Sequence, residues 1–184
     1  MRIWITTFLL CAATTLNAQE VKLSPVNTTI VNHVSEKSDL IKSVNQQIWN
    51  FAEVGLQETR SSELLQSHLK TAGFRIQRGI SKMPTAFVAE YGSGQPIIGI
   101  LAEYDALPGL SQKVAARQEA LVQGGNGHGC GHSGLGAGAL GAVLAIKKAM
   151  DTHQLQGTIR LYGTPAEETV IGKVYMTLDG VFDD

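Results

Sequence analysis

From Ser35 onward the apolar residues Leu40, Ile41, Val44, Ile48 and Phe51 recur at helical spacing, which predicts an amphipathic helix with one buried face. Leu64, Leu65, Leu69 and Ala72 repeat the pattern and predict a second helix that ends at Gly73. Beyond Gly73 the period shortens. The stretches FRIQRGI, TAFVAEYG and PIIGILAEYD are rich in β-branched and aromatic residues, are parted by Pro and Gly, and predict strands. Within the third, IIGILA is apolar on both faces and predicts a central strand. A polar connection from about Leu110 to Gly127 leads into a helix from about His132 to Met150, whose Lys147 and Lys148 suit the negative end of a helix dipole. Gly157 then opens a strand, TIRLYG, that stops at Thr164-Pro165. Helices first, then strands alternating with a long helix, predict an α/β fold: a three-layer sandwich of a central mixed sheet flanked by helices.

The N-terminal end follows a different pattern. Residues 1–18 carry Arg2, an apolar stretch from Ile3 to Leu16 and the small Ala18, which is the layout of a signal peptide cut after Ala18. The stretch is shorter than the roughly 20 apolar residues of a membrane span, so no stable membrane anchor is expected and the localisation is periplasmic or secreted. Residues 19–34, polar and with Pro25, are expected to be a leader outside the core. Removal of Cys11 with the signal leaves Cys130 as the only cysteine, which excludes an intramolecular disulfide.

A formal net charge of −1 over 184 residues, with 17% charged residues, offers no electrostatic footprint for nucleic acid and suits a small neutral partner or substrate. Glycine is the compositional outlier, with 20 residues that cluster between Gly92 and Gly141.

The densest of that cluster, GNGHGCGHSGLGAGALG at 125–141, holds the candidate chemistry. Gly136 to Gly141 match the letters of a dinucleotide loop, but no strand precedes them and no carboxylate follows at the required distance. They are read instead as close packing of a buried helix. Cys130 as a nucleophile with His128 or His132 as its base is a second reading, disfavoured because residues two apart rarely face each other for proton transfer. Metal binding is the third: Cys130 and His132 flank Gly131, so a thiolate and an imidazole reach one centre or two adjacent ones from a flexible loop. Glu167 and Glu168 follow the strand TIRLYG, and Glu103 and Asp105 follow IIGILA, so acidic groups stand at two strand ends where α/β sheets gather ligands. His33, His68 and His153 are expected in surface or packing roles.

AEYDALPG, GHGCGHSGLGAGALGA and GTIRLYGTPAEE followed by GKVYM resemble, in order and spacing from about Ser35 to Asp184, the aminoacylase and carboxypeptidase-type dinuclear metallopeptidases. The likeness lies toward the branch of p-aminobenzoyl-glutamate and indole-acetyl-amino-acid hydrolases. The resemblance implies two divalent metal ions, zinc or manganese, with Cys130, His132 and Glu168 as ligands and Glu167 as general base. It implies hydrolysis of the amide bond of an N-acyl or aminobenzoyl amino acid or small dipeptide by an activated water. Glu103 and Asp105 match acidic positions near the metals and are expected to orient ligands, while His128 matches the first histidine of the motif.

The chain departs from the family pattern at Gly129 and Ser133, where Ala and Asn are common. Family members are more than twice as long, with two further ligand histidines and a dimerisation domain. Residues 35–184 are therefore expected to form the N-terminal part of a catalytic domain, with a homodimer or hetero-oligomer expected only for a full-length form. The alternative expectation is an inactive truncated remnant that binds one metal or none.

Overall fold

A computed structural model describes residues 22–183; the segment expected to be a signal peptide, 1–18, lies outside them. Three helices come first, α1 (Pro25–Glu36), α2 (Ser38–Phe51) and α3 (Thr59–Thr71), followed by strands β1 (Arg75–Arg78), β2 (Phe87–Ser93) and β3 (Ile97–Ala102). The long helix α4 (His132–His153), strand β4 (Gly157–Gly163) and the short helix α5 (Gly172–Leu178) complete the order.

Most of the stretch expected to be a leader is α1. Its start is set locally: Ser24 Oγ accepts the Asn27 N–H at 3.2 Å, and Pro25 occupies the first turn, where its missing N–H is no loss. No residue of α1 is fully buried, yet the helix lies along α4 and places Thr29 Oγ1 2.8 Å from His153 Nε2. The start of α3 is held from further away. Glu53 accepts N–H groups of Arg60 at 3.1 Å and Ser61 at 2.9 Å, donors that the first helical turn leaves without intrahelical partners.

The sheet runs β1-β2-β4-β3, with β2 antiparallel to both β1 and β4 and β3 parallel to β4. Alternation along the strands divides the side chains between two layers. Phe87, Ala89, Ile159 and Leu161 face Val44, Ile48, Leu65, Leu69, Leu140 and Val143 of the helices. Val88 and Tyr162 face the opposite way, onto Met83, Ala86 and Met176 of α5. A mixed sheet between two helical layers is the architecture that the order of predicted elements implies.

One strand sits elsewhere than its sequence predicts. The inner positions belong to β2 and β4, while β3, with its apolar IIGILA, is an edge strand among the described residues, with Ile98 56% and Leu101 49% exposed. A run of Ile and Leu has the same pattern whether a neighbour covers it or not, so periodicity does not separate the two placements.

Because β3 and β4 are parallel, the chain must cross back between them, and α4 is that crossover. A crossover helix runs opposite to its strands, so the N-terminus of α4 lies at the same end as the C-terminal ends of β3 and β4. The glycines of α4 allow this close approach. A Cβ at Gly136 would lie 2.9 Å from the Glu103 carbonyl oxygen and one at Gly141 2.5 Å from Ile41 Cδ1, while one at Gly138 would meet nothing within 4 Å. No helix of the described residues is long and apolar enough to cross a membrane.

Candidate metal centre

Three backbone segments meet at that end of the sheet: 103–105 after β3, 128–132 at the head of α4, and 164–169 after β4. Gly131 supplies the geometry of the second. Its φ of +89° caps α4 in the left-handed region, which lets Cys130 and His132 turn toward one point from either side of a single glycine.

His132 is 2% exposed and stands at the middle of the cluster. Its Nδ1–H donates to Asp105 Oδ1 at 2.9 Å, and Asp105 is itself 1% exposed. That bond fixes the ring and turns Nε2 toward Glu103 Oε2 at 3.3 Å and Glu167 Oε2 at 3.5 Å. The other oxygen of Asp105, Oδ2, accepts the backbone N–H of Glu168 at 2.9 Å. One carboxylate therefore holds both the imidazole and the turn that bears the glutamate pair.

The turn is strained and held by a residue far away in sequence. Ala166 has φ +56° and Val170 φ +56°, conformations that cost a non-glycine residue about 1 kcal/mol or more. Ala166 is kept there because its N–H donates to Glu58 Oε1 at 2.8 Å. Glu58, at the head of α3, is 0% exposed, and its Oε2 accepts Thr85 Oγ1–H at 2.9 Å. Burial pushes this carboxyl above the usual range; the hydrogen bonds from Ala166 and Thr85 act against that rise and the nearby Asp105 adds to it.

Two groups of potential ligand atoms result. Cys130, His132 and Glu168 each offer one atom, all within 4.8 Å of one another, and Glu103, His132 and Glu167 form a second such group that shares the histidine. The four residues expected to carry the chemistry, Cys130, His132, Glu167 and Glu168, are thus brought together. Glu103 stands closer than an orienting role requires, with an oxygen in the second group, whereas Asp105 takes the orienting position. His128 does not join either group: its Nε2–H donates to the Ile48 carbonyl at 3.0 Å, and burial lowers its pKa.

The donor set fits divalent cations. Thiolate, imidazole and carboxylate together suit zinc, and the all-N/O second group suits zinc or manganese. Oε1 of Glu168 is buried with no hydrogen-bond partner, and a neutral His132 would present the Nε2 lone pair to two carboxylate oxygens. Positive charge at these positions satisfies both. The same negative field acts on Cys130: Glu168 first, then burial and the charges of Glu167 and Glu103, hold its thiol above the ordinary range. The positive end of α4 acts the other way on a thiol.

Two residues of the site were not singled out by sequence. Glu58 looks like an ordinary charged residue at a helix start, and no local signal marks its burial. Lys173 lies in the GKVYM stretch, and its ammonium donates to Glu103 Oε1 and lies 3.8 Å from Glu167 Oε1. Lysine is solvent-facing so often that the letter alone carries no information.

Residues 99–184 match the model of peptidase family M20/M25/M40. Over 142 residues the chain is 46% identical to one of the subunits of p-aminobenzoyl-glutamate hydrolase from Escherichia coli K12, a match that covers 77% of this chain and 30% of that protein. Over 146 residues it is 30% identical to IAA-amino acid hydrolase ILR1-like 2 of Arabidopsis thaliana, covering 79% and 32% of the two chains. The fold is shared with the crystal structure of the Bacillus subtilis YXEP protein, described as a dinuclear metal binding peptidase from the M20 family. That likeness has a TM-score of 0.63 and 24% identity, over 82% of this chain and 40% of that one. The chain spans about a third of the length of these curated relatives. Residues 99–184 thus belong to a domain of peptidase family M20/M25/M40.

Proposed function

We propose that this chain carries the N-terminal part of the catalytic domain of a metal-dependent amidohydrolase that cleaves the amide bond of an N-acyl or aminobenzoyl amino acid or small dipeptide. The observation that carries the reading is the pair of ligand groups joined through His132, with Cys130 and Glu168 on one side and Glu103 and Glu167 on the other. The names of the two relatives, hydrolases of aminobenzoyl-glutamate and of IAA-amino acids, support the substrate class.

In this reading Cys130, His132 and Glu168 hold a divalent ion, zinc or manganese, and Asp105 keeps His132 and Glu168 aimed at it. Divalent ions at such a centre supply charge that polarises an amide carbonyl and eases deprotonation of a water. Glu167, one-third exposed where Glu168 is more enclosed, takes that water's proton and returns it to the leaving nitrogen. Its neighbour in sequence serves a different purpose because the turn directs the two side chains to different groups.

Export from the cytoplasm, with cleavage after Ala18, is part of the proposal and rests on the sequence of residues 1–18. N-terminal sequencing of the protein from its source checks it.

The test of the function is Glu167→Gln in the protein as its source makes it. Loss of at least about 100-fold in kcat on an aminobenzoyl or acyl amino acid, with metal content unchanged, is the expected result. Turnover that survives the substitution would overturn the base assignment, and a protein that retains no zinc or manganese after dialysis would overturn the metal reading.

A further inference from the structure

Lys173 is the second residue of α5, and its place is rigidly set. A Cβ on Gly172, the residue before it, would lie 1.8 Å from the carbonyl oxygen of Pro165, so the head of α5 is pressed against the turn that leads to Glu167. From there the ammonium donates to Glu103 Oε1 and lies 3.8 Å from Glu167 Oε1. The same two carboxylates point their Oε2 atoms at His132 Nε2, at 3.3 and 3.5 Å. Each carboxylate therefore spans from the lysine to the histidine. A divalent ion drawn to Glu103 and Glu167 would compete with this fixed positive charge for the same oxygens. Among the described residues, the carboxylate of the Cys130, His132 and Glu168 group has no lysine or arginine partner.

We propose that Lys173 is a positioning residue, a built-in counter-ion that holds Glu103 and Glu167 apart and in place and weakens their group for a divalent cation relative to the Cys130 group. The part about cations rests on the metal reading above; the part about the carboxylates does not. His132 has one lone pair to give, at Nε2, because its Nδ1–H is held by Asp105; one ion takes it together with Cys130 and Glu168, and a second ion reaches Glu103 and Glu167 only by displacing the ammonium.

Titration calorimetry of the dialysed protein with zinc and with manganese tests this, on the wild type, Lys173→Met and Lys173→Arg. The expected result is a weaker of two binding steps that tightens by about tenfold or more in Lys173→Met, remains as in the wild type in Lys173→Arg, and leaves the tighter step unchanged. A residue that only props up the fold would not tighten ion binding when removed. A weaker step that is unchanged or weakened further in Lys173→Met overturns the proposal.

Thermal unfolding in EDTA supplies the second measurement. Lys173→Met is expected to lower Tm by about 2 to 4 °C and Lys173→Arg to restore it; equal Tm values overturn the counter-ion role. If no variant binds any ion, the metal reading of the site fails along with the claim about cation preference, and the EDTA comparison decides the counter-ion alone.

Discussion

Asp105 and His132, 27 positions apart in sequence, are joined by a buried 2.9 Å hydrogen bond from the imidazole Nδ1–H to carboxylate Oδ1. The bond selects the tautomer whose Nε2 lone pair faces the centre, and the second oxygen of Asp105 ties in the backbone of Glu168. Asp105→Asn places an N–H₂ where one of these two donors points. The expected outcome is a loss of about 10- to 100-fold in zinc affinity with the fold retained, read by equilibrium dialysis and circular dichroism. Unchanged affinity would show that the histidine needs no such support.

Glu58 makes a prediction about stability and its pH dependence. Glu58→Ala leaves the Ala166 N–H and the Thr85 hydroxyl buried without their acceptor and is expected to cost about 2 to 4 kcal/mol in urea unfolding. The sign for the glutamine variant follows from linkage. An acid whose pKa is raised in the folded state keeps its proton more readily there, so ionisation costs stability, not at all below the ordinary carboxylate range and increasingly as pH rises through the raised value. Glutamine resembles the protonated acid. Measured between about pH 4 and pH 7, the stability of the wild type relative to Glu58→Gln should therefore fall as pH rises. A constant difference would mean that Glu58 is as easily ionised folded as unfolded.

Two glycines on the same helix should respond in opposite directions to alanine. At Gly136 the new methyl meets the backbone oxygen of Glu103 at 2.9 Å, which cannot move without shifting the end of β3, so a destabilisation of about 1 to 3 kcal/mol is expected. At Gly138 nothing lies within 4 Å, and the gain in helix propensity should stabilise by about 0.5 to 1 kcal/mol. Matched thermal melts of the two variants check the pair, and equal signs would contradict the packing described for α4.

The thiol of Cys130 offers a probe of the electrostatics. Since the charges of Glu168, Glu167 and Glu103 hold it protonated to higher pH than usual, iodoacetamide should label the metal-free protein more slowly at neutral pH than a free cysteine. Glu168→Gln should speed labelling by removing the largest contributor. Faster labelling of the unsubstituted protein would mean that the positive end of α4 prevails after all.

How much of this was legible in the sequence depended on how rare each residue's role is. A cysteine, two histidines and paired glutamates are scarce letters, and their positions after strands or at the head of a helix were enough to give Cys130, His132, Glu167 and Glu168 a shared chemistry. Glu58 and Lys173 are common letters whose meaning comes from contacts 108 and 70 positions away, with Ala166 and Glu103, and no local pattern encodes such distances. The helix α1 escaped for a related reason: with no fully buried residue it lacks the apolar stripe by which α2 and α3 announce themselves. The edge place of β3 was not legible because a short apolar run looks the same at the centre of a sheet as at its edge, and only pairing separates the two.

The pairing of β3 with β4 also acts as a ruler. Ala102 stands opposite Gly163, so Glu103 and Thr164 leave the ladder side by side, and the distance from there to Glu167 is counted in a fixed number of residues. Deleting a single residue from β3 would draw its acidic end back by about 3.3 Å and exchange its two faces at every position after the cut. Substitutions at the centre alter its chemistry one group at a time, whereas an indel in either strand puts the whole constellation out of alignment at once.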